Sequence, residues 1–204
     1  MIQLLELFPS HLNLNGDSGN LLVLERRIEW GGLESRRSAL LPGDKPATRP
    51  DVLLIGHGSV AAWKQVYSEL ARIAPTIQDW LRQGTQVLAI SSGFAALHGL
   101  LDGLPNSIER TERISKFVVE EFEGDSIFGY RNSDLKLPAI VRHENLIGSM
   151  LHGPLLAKNT WLADQIIESV RGDSLRKEVD IKKLDELELL AAAARTLAAE
   201  QASD

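Results

Sequence analysis

The chain has 204 residues, the usual size of one compact domain, which excludes a multi-domain machine. Its 22 Lys and Arg against 28 Asp and Glu give a formal net charge of -6 and argue against a basic surface for nucleic acid or an anionic membrane. The absence of cysteine excludes disulfides, a thiolate metal site and cysteine catalysis in this chain. No apolar stretch reaches the ~18 residues of a spanning helix and no basic leader opens the sequence, so we expect no membrane span and a cytoplasmic location.

Apolar runs and helical periodicities alternate through the first half of the chain. Runs with the length of a buried strand predict β-strands, and apolar residues at helical spacing between them predict helices. This alternation is typical of an α/β domain. The predicted strands are 2–7, 34–41, 51–55 and 86–90, and the predicted helices are 21–30, 60–70 and 73–82.

The second half has shorter segments of strand character, which predict a more antiparallel arrangement, followed by helices. We expect residues 1–172 to form the main domain and residues 173–204 to form a C-terminal helix that packs on or extends it. An apolar stripe predicts that last helix. The predicted strands are 116–121, 126–130, 139–141 and 146–151, the next helix is 160–170, and the stripe consists of Ile181, Leu184, Leu187, Ala191, Ala194 and Ala198.

The most informative segment is the end of the strand 86–90. A strand that turns abruptly into a helix exposes the side chain of its turn residue, and small residues two positions before and after relieve the crowding. Ala89, Ser91 and Gly93 give this A-x-S-x-G pattern, which predicts a nucleophile elbow with Ser91 at its tip. The alternative is that Ser91 is an ordinary helix N-cap.

A nucleophile needs a base, and His152 is the strongest candidate because it follows a predicted strand and precedes the rigid Gly153-Pro154 turn. If Ser91 and His152 share a site, their strand ends must converge, and we expect the two side chains to lie within about 3 to 5 Å of each other. His57, in the glycine-flanked loop after strand 51–55, would lie in a wall that presents backbone N–H groups. The alternatives are ordinary packing of His152 and an ordinary strand-to-helix turn around His57.

A metal or nucleotide site has no support in the sequence. The histidines are not at ligand spacing, and the glycines of 16–19 lack both the lysine of a phosphate loop and the spacing of a dinucleotide loop. We therefore expect neither a metal nor a cofactor in this chain.

Three segments in the same order resemble one known family. Residues 151–159 (LHGPLLAKN) with Asp164, residues 12–20 (LNLNGDSGN) with Arg26-Arg27, and residues 88–94 (LAISSGF) are similar to motifs of the glutaminase subunit of lipid II isoglutaminyl synthase and its relatives of the cobyric acid synthase type. These proteins are class I glutamine amidotransferases. The resemblance covers most of the chain.

The resemblance implies a flavodoxin-like three-layer sandwich with a mostly parallel central sheet. In the family, a cysteine thiolate attacks the side-chain amide of L-glutamine, a histidine shuttles the proton, and the ammonia passes to a partner. The implied partner is a Mur-ligase-like synthase that uses ATP and Mg and amidates D-glutamate of lipid II. By position, Ser91 stands for the nucleophile and His152 for the base; the residues implied for the oxyanion loop and substrate binding are Gly56, Gly58, Ser92 and Asn132.

The chain departs from the family at several of these positions. Ser91 replaces the cysteine, and a serine hydroxyl is a far weaker nucleophile than a thiolate. Ser92 stands where the family usually has glycine. Pro154 stands where many class I members have glutamate, but the isoglutaminyl synthase branch shares this proline, and there another group, including one of the partner, has to orient the histidine.

These departures leave several alternatives open. Ser91 is either a deliberate Cys-to-Ser exchange or the mark of a natural non-catalytic paralogue kept for binding. The chain is alternatively a structural subunit that stabilises a ligase, or a serine hydrolase that uses Ser91 and His152.

Overall fold

A six-stranded sheet forms the centre of the protein, whose computed structural model describes residues 1–173 and 181–201. Five strands run parallel, and the edge strand β7 is antiparallel to its neighbour β8. The strand order is β2-β1-β3-β4-β8-β7. The bounds are β1 Ile2–Leu7, β2 Ser35–Leu40, β3 Val52–Ile55, β4 Gln86–Ile90, β7 Ile140–His143 and β8 Leu146–Ser149.

Helices cover both faces of this sheet and give the expected three layers. Successive residues of a buried strand point to opposite faces. In β3, Val52 and Leu54 accordingly pack into one apolar core and Leu53 and Ile55 into the other. The helices are α1 Gly19–Trp30, α2 Val60–Arg82, α3 Ser92–Leu97, α4 Leu155–Lys158, α5 Thr160–Arg171 and α6 Ile181–Gln201.

The expectation of two helices over 60–70 and 73–82 is wrong, because α2 is a single helix of 23 residues with Pro75 inside it. Leu70, Ile73 and Ile77 are all buried on the face that covers the sheet. A proline inside a helix removes one backbone hydrogen bond and costs about 3 kcal/mol. Burial of the continuous apolar face offsets this loss, so the helix does not end.

A long hairpin forms a second, antiparallel sheet beside the first. Its strands are β5 Arg110–Phe122 and β6 Asp125–Leu135, and the two-residue strand β9 Leu151–His152 pairs with β6. The antiparallel character of the second half is confirmed, but the predicted strand 146–151 is divided. Its first part stays in the central sheet as β8, and the part after Met150 joins the hairpin.

The C-terminal helix packs against the faces of α1, α4 and α5. Glu188 accepts a hydrogen bond from Thr160, and Arg195 donates one to the carbonyl oxygen of Lys158 at 2.6 Å. Ala191 is buried. Residues 174–180 and 202–204 and the side chains of Ile181, Leu184, Leu187 and Ala198 lie outside the described residues, so the boundary at residue 173 stays a prediction. In the part of the chain that the structure describes, no helix is long and apolar enough to cross a membrane.

Candidate active site

Ser91 lies at the strand-to-helix turn and has the backbone conformation of a nucleophile elbow. Its φ is 50° and its ψ is -112°, in a region that non-glycine residues rarely adopt. The neighbouring turn is crowded: a Cβ on Gly93 would lie 2.5 Å from the carbonyl oxygens of Ile55 and Gly56. The small residues of the A-x-S-x-G pattern therefore have the steric role that the sequence predicts.

The hydroxyl of Ser91 lies 3.5 Å from Nε2 of His152. The predicted distance of about 3 to 5 Å is thus confirmed. The strands β4 and β8 are parallel neighbours with Ile90 opposite Ser149, which places the two strand ends side by side. The distance exceeds the roughly 2.6–3.2 Å of a working nucleophile–base pair. The catalytic roles of both residues stay a prediction.

The ring of His152 is held by hydrogen bonds at both nitrogens. Its Nε2 lies 3.1 Å from the backbone carbonyl oxygen of Asn132, and its Nδ1 lies 2.6 Å from the side-chain nitrogen of Asn15. A carbonyl oxygen only accepts, so Nε2 carries the proton and Nδ1 accepts from the amide of Asn15. Burial lowers the pKa of His152, which favours this neutral form.

This tautomer is the wrong one for a general base. A base that takes the proton of Ser91 needs a lone pair on Nε2, and in a Ser-His-Asp triad a carboxylate at Nδ1 ensures it. Here Asn15 stands at that place and donates instead. Sequence reasoning did not assign Asn15 a role, although it lies in the segment 12–20 that carries the family resemblance; only the 137-residue contact with His152 reveals it.

The side chain of Ser92 is fixed between α3 and the loop that follows β3. Its hydroxyl oxygen accepts from the backbone N–H of Gly58 at 2.9 Å and from the indole N–H of Trp63 at 2.8 Å. It also lies 2.9 Å from Nδ1 of His57 and 3.0 Å from the carbonyl oxygen of Gly58. Gly58 and Ser92, both predicted oxyanion residues, are therefore in direct contact.

His57 completes this cluster and stays neutral. The backbone N–H of Ser92 donates to its Nδ1 at 3.3 Å. Burial and, to a smaller extent, the neighbouring imidazole of His152 lower the pKa of His57 to about 4. The two rings meet edge to face with their centroids 4.7 Å apart. At neutral pH, Nδ1 of His57 is a hydrogen-bond acceptor.

Asp17 holds the loop behind the site. One carboxylate oxygen accepts from the backbone N–H of His57 at 2.9 Å. Asp17 is fully buried, and among the described residues its other carboxylate oxygen has no hydrogen-bond partner. Burial raises the pKa of Asp17 to about 6, and the nearby Glu6 contributes to the increase. Gly56 lies under this loop, where a Cβ would approach the carbonyl oxygen of Leu12 to 1.9 Å.

An open cleft of about 400 Å³ lies over Ser91. Its floor is the elbow and the loop after β3, and its rim is the hairpin. On the rim, Arg110 forms an ion pair with Asp134, and Arg113 donates to the side-chain oxygen of Asn132. Asn132, predicted to bind substrate, therefore lies at the rim. Within residues 1–173 and 181–201, no group of three or more His, Asp or Glu is placed to hold a metal ion.

Two solved structures from Thermotoga maritima have the same fold. A glutamine amidotransferase from Thermotoga maritima superposes with a TM-score of 0.52 at 16% identity and covers 96% of both chains. A chain in the structure of PurLQS from Thermotoga maritima gives a TM-score of 0.53 at 16% identity, over 84% of this chain and 98% of that one. The chain has the flavodoxin-like fold of the class I glutamine amidotransferases.

Sequence comparison narrows this class. The GatD subunit of the glutamine-hydrolysing lipid II isoglutaminyl synthase of Staphylococcus aureus is 26% identical over 198 aligned positions, covering 77% of this chain and 79% of the relative. GatD of Streptococcus pneumoniae is 20% identical over 227 positions, covering 91% and 86%. No family model matches the chain. The two GatD subunits are homologues of this chain, and the resemblance read from its motifs is confirmed.

Proposed function

We propose that this chain is the glutaminase-type subunit of a complex of the lipid II isoglutaminyl synthase kind. In this complex, ammonia from L-glutamine passes to a Mur-ligase-like synthase that amidates D-glutamate of lipid II. The observation that carries the proposal is the elbow at Ser91 with the imidazole of His152 3.5 Å away. The names of the two GatD relatives support the substrate and the partner.

The cleft has groups that suit an amino acid with a side-chain amide. The rim combines Arg110 and Arg113 with the carboxylate of Asp134, which can bind the α-carboxylate and α-ammonium groups of glutamine. The floor places Ser91 below, where the side-chain amide would reach. A ligand bound this way would present its amide carbon to position 91.

Ser91 takes the position of the nucleophile in this proposal. Attack on the amide joins the side-chain oxygen of Ser91 to the amide carbon, passes the hydroxyl proton to a base, and later returns a proton to the leaving ammonia. His152 is the group in reach, but in the observed tautomer its Nε2 already carries a proton. The chain as it stands therefore catalyses this reaction poorly.

The second candidate is a non-catalytic subunit that binds and stabilises its partner. The hydrogen bonds of Ser92 and His57 favour it, because they use the backbone N–H groups that an amidotransferase turns toward its substrate. A serine hydrolase that uses Ser91 and His152 would meet the same obstacle, because the backbone N–H groups that it needs for its oxyanion are already hydrogen-bonded.

ATP and Mg belong to the partner in either case. Amidation of a carboxylate requires its activation, and the glycines near the N-terminus of this chain lack the residues of a phosphate loop. This chain contributes the glutamine site, and the synthase contributes the acceptor and the nucleotide.

Affinity purification of the tagged chain from its native host, followed by mass spectrometry, tests the partner. We expect a Mur-ligase-like protein in stoichiometric amount. Recovery of the chain without it would contradict the proposal.

Activity assays distinguish the three candidate functions: a glutaminase, a serine hydrolase and a non-catalytic subunit. The purified complex is incubated with glutamine and, separately, with an activated ester, and ammonia and acid release are measured against Ser91→Ala and His152→Ala. Ammonia release that depends on both residues supports a working glutaminase. Ester cleavage without ammonia release indicates a hydrolase. Neither activity, with partner bound, indicates the non-catalytic subunit.

A further inference from the structure

We propose that the side chains of His57 and Ser92 close the oxyanion hole of this chain from within, so that the replacement of the nucleophile by Ser91 is not the only feature of the site that suppresses turnover. The inference rests on the proposed function to the extent that it takes amide cleavage as the reaction the site would perform. The closure itself consists of two hydrogen bonds between described residues.

The reaction defines which groups must be free. Attack on an amide carbon places negative charge on the carbonyl oxygen, and two N–H donors have to meet that oxygen. At a nucleophile elbow, one donor is the backbone N–H of the residue after the nucleophile, and the other comes from the loop after the neighbouring strand. In this chain these groups are the N–H of Ser92 and the N–H of Gly58.

Both donors already have partners inside the protein. The N–H of Gly58 donates to the side-chain oxygen of Ser92 at 2.9 Å, and the N–H of Ser92 donates to Nδ1 of His57 at 3.3 Å. A hydroxyl oxygen and an imidazole nitrogen thus occupy the places where the developing oxyanion would sit. Both are electron-rich and repel it.

The hydroxyl of Ser92 is not free to turn away. Its two lone pairs accept from Gly58 and from the indole of Trp63, and its proton goes either to His57 or to the carbonyl oxygen of Gly58. All of its hydrogen-bonding capacity is used. Vacating the hole means breaking three hydrogen bonds in a partly buried site.

The ring of His57 is held as well. Its backbone N–H is bound to Asp17, which fixes the loop, and its ring packs edge to face against His152. Truncation of His57 to alanine removes the ring and leaves the backbone bond to Asp17 in place. The closure can therefore be opened at both donors without removing the bond that positions the loop.

The experiment introduces a thiol and then opens the hole in steps. The variants are Ser91→Cys, Ser91→Cys with Ser92→Gly, and Ser91→Cys with Ser92→Gly and His57→Ala. The matched control combines Ser91→Cys with Ser10→Gly and His11→Ala, a serine and histidine whose side chains also contact each other, at 3.1 Å, in a surface loop outside the cleft. Circular dichroism verifies that each variant is folded.

Two reagents separate the hole from the thiol. The glutamine analogue 6-diazo-5-oxo-L-norleucine alkylates the thiol with loss of N₂, and its ketone needs the oxyanion donors. Iodoacetamide alkylates the thiol with loss of iodide and does not need them. Mass spectrometry measures the rate of alkylation by each reagent. The rate with the diazo ketone divided by the rate with iodoacetamide measures whether the oxyanion donors are available, independently of any change in thiol reactivity.

We expect the ratio to rise at least about tenfold for each opening step and to stay unchanged in the Ser10/His11 control, since one oxyanion donor is worth about 10²–10³ in rate. Equal ratios in all variants would overturn the closure and leave the proposed function standing. If no variant reacts with the diazo ketone while all react with iodoacetamide, glutamine recognition fails, and with it both the proposed function and the role of the closure.

A measurement on the unmodified chain tests the closure without a thiol. Amide hydrogen exchange followed by NMR should show protection at Gly58 and Ser92, and Ser92→Gly should speed exchange at Gly58 at least about tenfold. Fast exchange at both amides in the unmodified chain would overturn the closure directly.

Discussion

The side-chain nitrogen of Asn15 lies 2.6 Å from Nδ1 of His152 and, together with the carbonyl oxygen of Asn132 at Nε2, determines which ring nitrogen carries the proton. The two residues are 137 positions apart in sequence. This contact gives the site a serine, a histidine and a third side chain in a line, as in a catalytic triad, but with an amide in the place of the carboxylate.

Replacement of Asn15 by aspartate should therefore reverse the tautomer. A carboxylate accepts from Nδ1–H and stabilises the imidazolium, so we expect Asn15→Asp to raise the pKa of His152 by about one unit or more. NMR of the imidazole nitrogens measures both the tautomer and the pKa. Asn13→Asp is the control, because it adds the same charge to the same loop. An equal shift in both variants would mean that the effect is long-range electrostatics and not the contact.

The strained backbone of Ser91 predicts an unusual stability effect. Glycine adopts a positive φ without the steric cost that a Cβ brings. We expect Ser91→Gly to exceed Ser91→Ala in free energy of unfolding by about 1 kcal/mol, although glycine normally destabilises relative to alanine. Urea unfolding of the two variants measures the difference. An alanine variant that is the more stable of the two would show that the turn is not strained.

The buried Asp17 should make stability depend on pH. Its folded pKa of about 6 lies above the ordinary value of 3.8, so the folded state binds more protons between these pH values and loses stability as pH rises through them. Asp17→Asn removes this loss. The free energy of unfolding of Asp17→Asn minus that of the unmodified chain should rise by at most about 3 kcal/mol between pH 4 and pH 6 and stay constant above pH 6.

Urea unfolding at a series of pH values measures this difference. Asp125→Asn, at an exposed position at the start of β6, is the control, and its difference from the unmodified chain should not follow the same course. A flat difference for Asp17→Asn would contradict the raised pKa.

The motif residues Arg27 and Asp164 have a structural role. Two parallel hydrogen bonds of 2.6 Å join them in the interior between α1 and α5. Removal of Asp164 leaves the buried guanidinium of Arg27 with only its longer contact to Glu188 at 3.5 Å, so we expect Asp164→Ala to destabilise the protein by about 3 kcal/mol. Combination with Arg27→Met should recover most of that loss. Arg26→Met, which removes an exposed pair with Glu29, should change stability by less than about 0.5 kcal/mol.

Urea unfolding of these three variants, with a test of partner binding, shows whether this pair of motif residues serves the fold. If Asp164→Ala is destabilising but leaves the partner bound, its motif serves the fold. If the double variant remains as unstable as Asp164→Ala, the ion pair is not the cause of the loss.

Local sequence features predicted the parts of the site that depend on local geometry. The elbow at Ser91 follows from small residues at fixed offsets in one strand and turn, and the burial of β3 on both faces follows from its continuous apolar run. The course of the chain after Met150 did not follow, because residues 146–151 have the same strand character throughout, whereas the break at Met150 depends on pairing with the hairpin.

The protonation and hydrogen-bond pattern of the site was out of reach for a different reason. Nothing near His152 in sequence indicates that Asn15 donates to it, and nothing near Ser92 indicates that its hydroxyl meets Gly58 and Trp63. Such contacts join loops that only the folded chain brings together. The predicted break between residues 70 and 73 is a third case: Leu70 and Ile73 are both buried on one face of a single helix.

The pairing of β9 with β6 divides the site between two bodies. Ser91 is carried by the central sheet, whereas His152 is hydrogen-bonded to the hairpin that also carries Arg113 and Asn132. Two ladder pairs, Tyr130 with His152 and Arg131 with Leu151, join this short strand to β6. The separation of Ser91 and His152 consequently depends on the position of the hairpin. A protein that bound the hairpin and displaced it would move the imidazole and the rim of the cleft together, relative to Ser91.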